Sequence, residues 1–252
     1  MFRVVIPARY DSVRLPGKAL QPIGGKPMVQ WVYERARAAG ALEVLIATDD
    51  ARILEAARAC GAAAVMTAAT HLSGTDRIAE VAGARHWPER DIVVNLQGDE
   101  PLMPPALIAQ VAALLDSTPA ADVATLATGI GSVEELLDPN AVKVVTDARG
   151  RALYFSRAPI PWNRAGAGLA SQTDPGGARR HIGIYAYRAG PLRRLAALAP
   201  GALELREKLE QLRALEHGLH IQVADACEPP GPDVNTPADL ARVAAALGGA
   251  PA

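Results

Sequence analysis

Residues 2–48 read FRVVIPARYDSVRLPGKALQPIGGKPMVQWVYERARAAGALEVLIAT, and this stretch decides the fold. Phe2–Pro7 is a compact apolar run, the pattern of a strand buried in a sheet. The period changes at Pro27. Met28, Trp31, Val32, Ala36 and Ala39 fall on one face of a helix that Pro27 opens and Gly40 closes. Leu42–Thr48 is apolar again and predicts a second strand. The alternation then repeats. Asp50–Cys60 predicts a helix ending at Gly61, and Ala64–Met66 a short strand. Ser73 or Thr75 caps a helix running to about Arg85, and Asp91–Leu96 predicts another strand. Such alternation predicts an α/β protein, a Rossmann-like, mostly parallel central sheet with helices on both faces. Ligands of these sheets sit beyond the carboxyl ends of the strands, which directs attention to the segments after Pro7, Thr48 and Leu96.

The second half is less regular. Val142–Thr146 and Ala152–Phe155 flank Asp147-Ala148-Arg149-Gly150, a hairpin signal. Residues 156–179 are rich in Pro, Gly, Ala and Arg and predict a long loop, and His181–Tyr187 alternates like a strand. Leu203–Leu215 predicts one helix with Leu205, Leu209, Leu212 and Leu215 along a side, and a closing helix follows Thr236. The expected organisation is one domain over residues 1–252, with an insertion on the sheet at about 140–190.

Composition removes several function classes. The chain has 252 residues, half of them apolar and 21% charged, an ordinary globular balance. Lys and Arg number 26 against 27 Asp and Glu, for a net charge of −1, so there is no bulk attraction to nucleic acid or an anionic membrane. At 4% aromatic, base-stacking modules are poorly supplied. No run approaches the roughly 18 apolar residues of a membrane span. Cys60 and Cys227 lie in no metal-ligand spacing, so no zinc site is expected, and two lone cysteines suit a reducing compartment. The expectation is a soluble cytoplasmic protein.

The strand-end segments carry the chemistry. Between Ile6 and Lys18 stand Arg9, Arg14 and Lys18, with two prolines and a glycine. Such a loop wraps a polyphosphate or is simply a solvated basic loop; no Walker A pattern is present. In Gln97-Gly98-Asp99-Glu100-Pro101, Asp99 either offers hard oxygen to Mg²⁺ or caps a helix beginning near Pro101. In Ser73-Gly74-Thr75-Asp76-Arg77, amides, a hydroxyl and a glycine that permits close approach meet a ligand, cap a helix, or do both. Glu207, Glu210 and Gln211 fall at i, i+3 and i+4, on one helix face that meets a ligand or is solvated. Thr236 opens the last helix as its cap.

The run IPARYDSVRLPGK resembles the opening signature of the cytidylyltransferases that activate acidic sugars, and most of all the branch acting on 3-deoxy-manno-octulosonate (Kdo). The likeness continues through Gly25–Met28, Ala47–Asp49, Leu72–Arg77, Asn95–Pro101, Asp138–Val144, Leu153–Pro161, His181–Tyr185 and Leu209–Arg213. These blocks cover nearly the whole chain in order. The resemblance implies a nucleotidyltransferase fold with a β-rich insertion for sugar binding and dimerisation. It implies the reaction CTP + Kdo giving CMP-Kdo and pyrophosphate for lipopolysaccharide synthesis. The anomeric hydroxyl would attack the α-phosphorus in line, with Mg²⁺ as cofactor. By the same resemblance Arg9, Arg14 and Lys18 hold the phosphates, with Arg9, Lys18 and Asp99 catalytic. Ser73, Gly74 and Arg77 meet the nucleotide, and Gln97, Arg157, His181, Tyr185, Glu210 and Gln211 the sugar. Asp99 binds the metal with Asn235, or with Asp233.

One departure stands out in Pro232-Asp233-Val234-Asn235-Thr236-Pro237. The family has aspartate where this chain has Asn235, and tends to glycine where it has Asp233. Close alternatives are an 8-amino Kdo analogue or a sialic acid as substrate, though the LEQLR and HIGIY blocks fit the Kdo branch. A metal-dependent glycosyltransferase would want DxD, where this chain has GDE. A non-catalytic nucleotide-binding module would be expected to have lost Lys18 or Asp99, and both are present.

Overall fold

The computed structural model describes residues 1–12, 14–164 and 175–248. Its first strand, β1 (Phe2–Ala8), runs through the centre, with Val4, Val5 and Ile6 fully buried. Both faces of β1 are covered, which is why its sequence is a continuous apolar run. The loop after it leads through a small hairpin of β2 (Pro22–Ile23) and β3 (Lys26–Pro27) into α1 (Met28–Ala38). Then follow β4 (Glu43–Thr48), α2 (Ala51–Ala59), β5 (Ala63–Met66), α3 (Gly74–Ala84) and β6 (Ile92–Asn95). Apart from the β2–β3 hairpin, which the sequence reading does not include, these elements lie within about two residues of the boundaries read from the sequence.

The second half brings α4 (Pro105–Asp116), β7 (Val123–Gly129), α5 (Val133–Leu137) and the hairpin β8 (Lys143–Thr146) and β9 (Ala152–Ser156). After them come β10 (Arg179–Arg188), α6 (Ala189–Ala196), α7 (Ala202–Glu207), α8 (Gln211–Glu216), β11 (Ile221–Asp225) and α9 (Pro237–Ala246). The main sheet runs β11-β7-β10-β6-β1-β4-β5, and β8 and β9 branch from β10. The β1, β4, β5 and β6 pairings are parallel, as is β11 with β7, while β10 is antiparallel to β6 and β7. Helices cover both faces. Val29, Ile53, Leu107 and Val111 pack on Val4 and Ile6 on one side, and Ile78, Val81, Leu192 and Leu212 pack with Val5 and Leu45 on the other.

Two expectations need correction. The stretch 140–190 is not wholly an insertion, because β10 lies mid-sheet between β6 and β7. Among the described residues of this stretch, the β8–β9 hairpin branches from β10 beside the main run of the sheet. The centre of the expected loop, residues 165–174, falls outside the described residues. The single helix over Leu203–Leu215 is two helices, broken where Lys208 takes a left-handed conformation at φ 54°. Leu209 and Leu212 are buried, but Leu205 is exposed. The leucine stripe fits a helical period, but its two ends pack against different environments.

Candidate active site

The loop after β1 is folded back on itself. Gly17 N–H donates to Tyr10 O at 3.2 Å, and Gly17 adopts φ +64°, where a Cβ would meet the Tyr10 ring at 3.1 Å. Leu15 then buries its side chain with Ile23, Met28, Val234, Val243 and Ala244, tying the loop to α9 and the segment before it. This small cluster brings residues more than 200 positions apart together. Lys18 Nζ donates to Asp99 Oδ2 at 2.7 Å, to Val234 O at 3.0 Å and to Asn235 Oδ1 at 3.3 Å. Arg14 donates to the same Asn235 oxygen at 2.9 Å, and the Asn235 amide donates to Asp233.

Asp99 does not cap a helix. The next helix, α4, starts at Pro105 with Pro104 in the cap position, because that proline pair moves the helix start downstream. Asp99 stays in the loop, its main-chain oxygen accepting from Val234 N at 2.9 Å. Gly98 is there for a close approach, since a Cβ would lie 2.9 Å from Pro7 O. The ends of β1 and β6 are thereby held side by side.

Two cavities result. A cavity of about 420 Å³ is lined by Arg9, Ser12, Arg14, Lys18, Gln97, Asp99 and Asn235 among others. A second, of about 810 Å³, abuts it through Arg14 and Asn235; its wall includes Glu100, Asn140, Arg157, Arg180, His181 and Asp233. Glu100, Asn140 and Arg180 were not singled out from sequence. Glu100 follows the singled-out Asp99, and the only available signal was its place in the same strand-end block. Its carboxyl is pushed up to about 8 by burial first, then by Asp99 and Asp233. Asp233 is likewise raised, by desolvation and then by Asp99.

The remaining candidate residues have definite partners. His181 Nε2 lies 2.9 Å from Thr125 Oγ1, and its ring packs edge-on against Phe155 and beside Tyr185. Burial drives its pKa down to about 3, so the imidazole is neutral. Tyr185 stacks on Tyr187, and burial raises its hydroxyl pKa well above the usual value. The Arg157 guanidinium donates to Glu207 O at 2.7 Å, Pro139 O at 2.8 Å and Lys208 O at 3.5 Å.

Ser73, Gly74, Arg77, Tyr185, Glu210 and Gln211 line neither cavity. Ser73 caps α3 in a reciprocal capping box with Asp76, so the capping alternative holds for it. Its hydroxyl also donates to Glu210 Oε1 at 2.7 Å, and Thr75 donates to Glu210 Oε2 at 3.0 Å. Gly74 is approached by Pro7, with a Cβ 3.1 Å from its ring. Arg77 is buried, bonded to Asp49 at 2.7 Å and to Thr67. Gln211 is buried at the start of α8. Glu207 turns the other way from Glu210, accepting from Ser156 Oγ at 2.7 Å and Arg157 N at 2.9 Å. These three acids and amides do not share one helix face, because the chain breaks at Lys208.

Among the described residues no three His, Cys, Asp or Glu side chains gather into a metal cluster. The cation position the structure does define is the one Lys18 fills, among a carboxylate, an amide and a main-chain oxygen. Hard, mixed oxygen donors of this kind suit Mg²⁺, which takes few protein ligands and keeps waters.

A family model described as Cytidylyltransferase matches residues 3–221. The chain belongs to the cytidylyltransferase family. Within that family it is 57% identical to the 3-deoxy-manno-octulosonate cytidylyltransferase of Thioalkalivibrio sulfidiphilus (strain HL-EbGR7), over 96% of this chain and 97% of that one. It is 57% identical to the protein of the same name from Pseudomonas syringae pv. tomato (strain ATCC BAA-871 / DC3000), over 96% of each. Among solved structures, a CMP:2-keto-3-deoxy-manno-octonic acid synthetase complexed with CTP superposes with a TM-score of 0.89. It is 44% identical and covers 98% of this chain and 99% of that one. A cytidylyltransferase from Leptospira borgpetersenii serovar Hardjo-bovis (strain JB197), at 17% identity and a TM-score of 0.63, shares the fold, covering 97% of this chain and 85% of its own. No helix among the described residues of this cytidylyltransferase is long and apolar enough to cross a membrane.

Proposed function

We propose that this cytidylyltransferase activates Kdo, converting CTP and Kdo into CMP-Kdo and pyrophosphate for lipopolysaccharide synthesis in the cytoplasm. The observation that carries the reading is the 55–57% identity, over nearly the full chain, to proteins named for this reaction. Two abutting cavities support it, one rich in cations and one of mixed polarity. Arg9, Arg14 and Lys18 surround the triphosphate in the first. Pyrophosphate gathers negative charge as it leaves, and fixed cations stabilise that charge most in the transition state. The second cavity holds the sugar acid, bringing its anomeric hydroxyl to the α-phosphorus at the shared edge. His181, neutral and bonded to Thr125, orients the sugar and does not act as a general base near neutral pH.

Mg²⁺ would be held by Asp99 and Asn235 with Val234 O, the oxygens that Lys18 now gathers. When bound, it supplies Lewis-acid polarisation of the phosphoryl oxygens. Two copies of the chain pair through the region at about 140–190, where Leu153 and Trp162 are exposed. The function is tested by incubating the protein with CTP, Mg²⁺ and one sugar acid at a time, and measuring pyrophosphate release. Kdo is expected to give the highest kcat/KM. Release with an 8-amino Kdo analogue or a sialic acid but not with Kdo would overturn the assignment.

A further inference from the structure

We propose that Lys143 is a positioning residue for the sugar-acid cavity, acting from behind its wall. The proposal rests on the placement of the sugar in the second cavity. Lys143 opens β8 and is fully buried, at 0% exposure, yet it makes no ion pair among the described residues. Its Nζ donates instead to two main-chain oxygens, Asp138 O at 2.8 Å and Arg157 O at 2.7 Å. A lysine in such a place is expensive to desolvate, and burial pulls its pKa down, opposed by the charge of Asp138. An apolar residue of similar length would avoid that cost if packing were the only need.

The two carbonyls explain the ammonium. Asp138 and Arg157 both line the second cavity, and they reach it from different elements, the end of α5 and the end of β9. Lys143 is the point at which the two are joined from inside the protein. Arg157 joins them again from the cavity side, through its bond to Pro139 O. Asn140, another wall residue, hangs from Asp138 by bonds from its main-chain and side-chain nitrogens, at 2.8 and 3.0 Å. Lys143 also pairs in register with Arg180, a further wall residue. The first cavity contains neither Lys143 nor any of Asp138, Asn140, Arg157 and Arg180. Lys143 therefore sets the width and orientation of the sugar site and leaves the nucleotide site alone.

The test is the division of its effect between substrates. Lys143→Met keeps the length and removes both donors, leaving two buried carbonyls unpaired. The KM for Kdo is expected to rise about tenfold or more, the equivalent of one charge-assisted bond, while the KM for CTP stays within about twofold. Arg157→Met and the double variant complete the cycle. If Lys143 acts by holding Arg157, the double variant binds Kdo about as weakly as the worse single one. A Lys143→Met protein with an unchanged KM for Kdo, with both KM values raised alike, or with effects that add to those of Arg157→Met, overturns the proposal. If the Met variant does not fold, Lys143→Gln, which retains an N–H donor, is read by the same division. Wild-type activity with Kdo tests the function separately, so the two readings fail in different experiments.

Discussion

Lys18→Met separates two roles that the lysine combines. In the structure its ammonium sits among Asp99 Oδ2, Val234 O and Asn235 Oδ1, the oxygens assigned to Mg²⁺. At 2.7 Å the Lys18–Asp99 attraction is about 1.5 kcal/mol in bulk water and about 6 kcal/mol at an effective dielectric of 20. The two side chains are 17% and 28% exposed, and each has already lost some hydration, so the net pair sits nearer the lower figure. A divalent ion entering the nucleotide-free protein displaces that pair. Removing the ammonium should tighten divalent binding by about tenfold, the equivalent of about 1.4 kcal/mol. Mn²⁺ titration followed by electron paramagnetic resonance, without nucleotide, reads this directly. Turnover should fall in the same variant, by about a hundredfold, because a cation facing the leaving pyrophosphate is gone. The opposite signs are what give the experiment its force, since general damage to the site would weaken both. Unchanged or weaker Mn²⁺ binding would refute the assignment of these oxygens to the metal.

Asn235→Asp should tighten Mn²⁺ by about fivefold to thirtyfold, since a charged ligand is worth about 1–2 kcal/mol more than a neutral one. If it instead weakens CTP binding, and Asp233→Ala is severely impaired, the second ligand is Asp233. Arg77→Met should cost about 3–5 kcal/mol in urea unfolding, because it strands Asp49 and Thr67 beside a buried guanidinium site. Its KM for CTP should change little, and a large rise in that KM with normal stability would return Arg77 to the nucleotide site. His181→Gln should flatten the acid limb of the stability curve. The folded His181 has its pKa depressed to about 3, so the stability from its neutral form is present above about 6.5 and lost as pH falls towards 3. The full shift corresponds to about 5 kcal/mol, and discounting for the ring's partial exposure leaves about 2–4 kcal/mol. Urea midpoints for both proteins between pH 4 and 7 check this, and parallel curves would refute it.

The first half of the fold was legible because its signals are local. The run Val4–Ile6, the Met28–Ala36 stripe and the Ser73 cap each report on their own few residues, and the structure keeps them. The second half depends on contacts the sequence does not display. His181–Tyr187 alternates like any strand, and nothing in it says that it enters the middle of the sheet antiparallel to β6 and β7. Leu203–Leu215 has a helical period, yet Glu207 is drawn to Ser156 and Glu210 to Ser73, in directions one straight helix could not satisfy. Arg77 stands in a block that the resemblance assigns to the nucleotide, but nothing in those letters shows that its guanidinium is buried against Asp49 and Thr67. The cation-lined cavity was better marked, because its residues fall in loops just after strands, where the sheet topology itself creates a crevice.

The same physics accounts for the one place where the chain departs from the pattern it otherwise follows. Asp233 and Asn235 are not two separate exceptions. The Asn235 amide uses its nitrogen to bond the Asp233 carboxylate and its oxygen to accept from Arg14 and Lys18. An aspartate at 235 has no N–H to offer, so with Asp233 in place it would set two carboxylates at hydrogen-bonding distance beside Asp99. A glycine at 233 removes that conflict and permits the aspartate; an aspartate at 233 asks for the amide. The pair thus keeps one negative charge, which with Asp99 makes two against Arg14 and Lys18, whichever of its members carries it. On this argument Asn235→Asp should lower the melting temperature without metal while it tightens the metal, since the bound ion relieves the repulsion the variant creates.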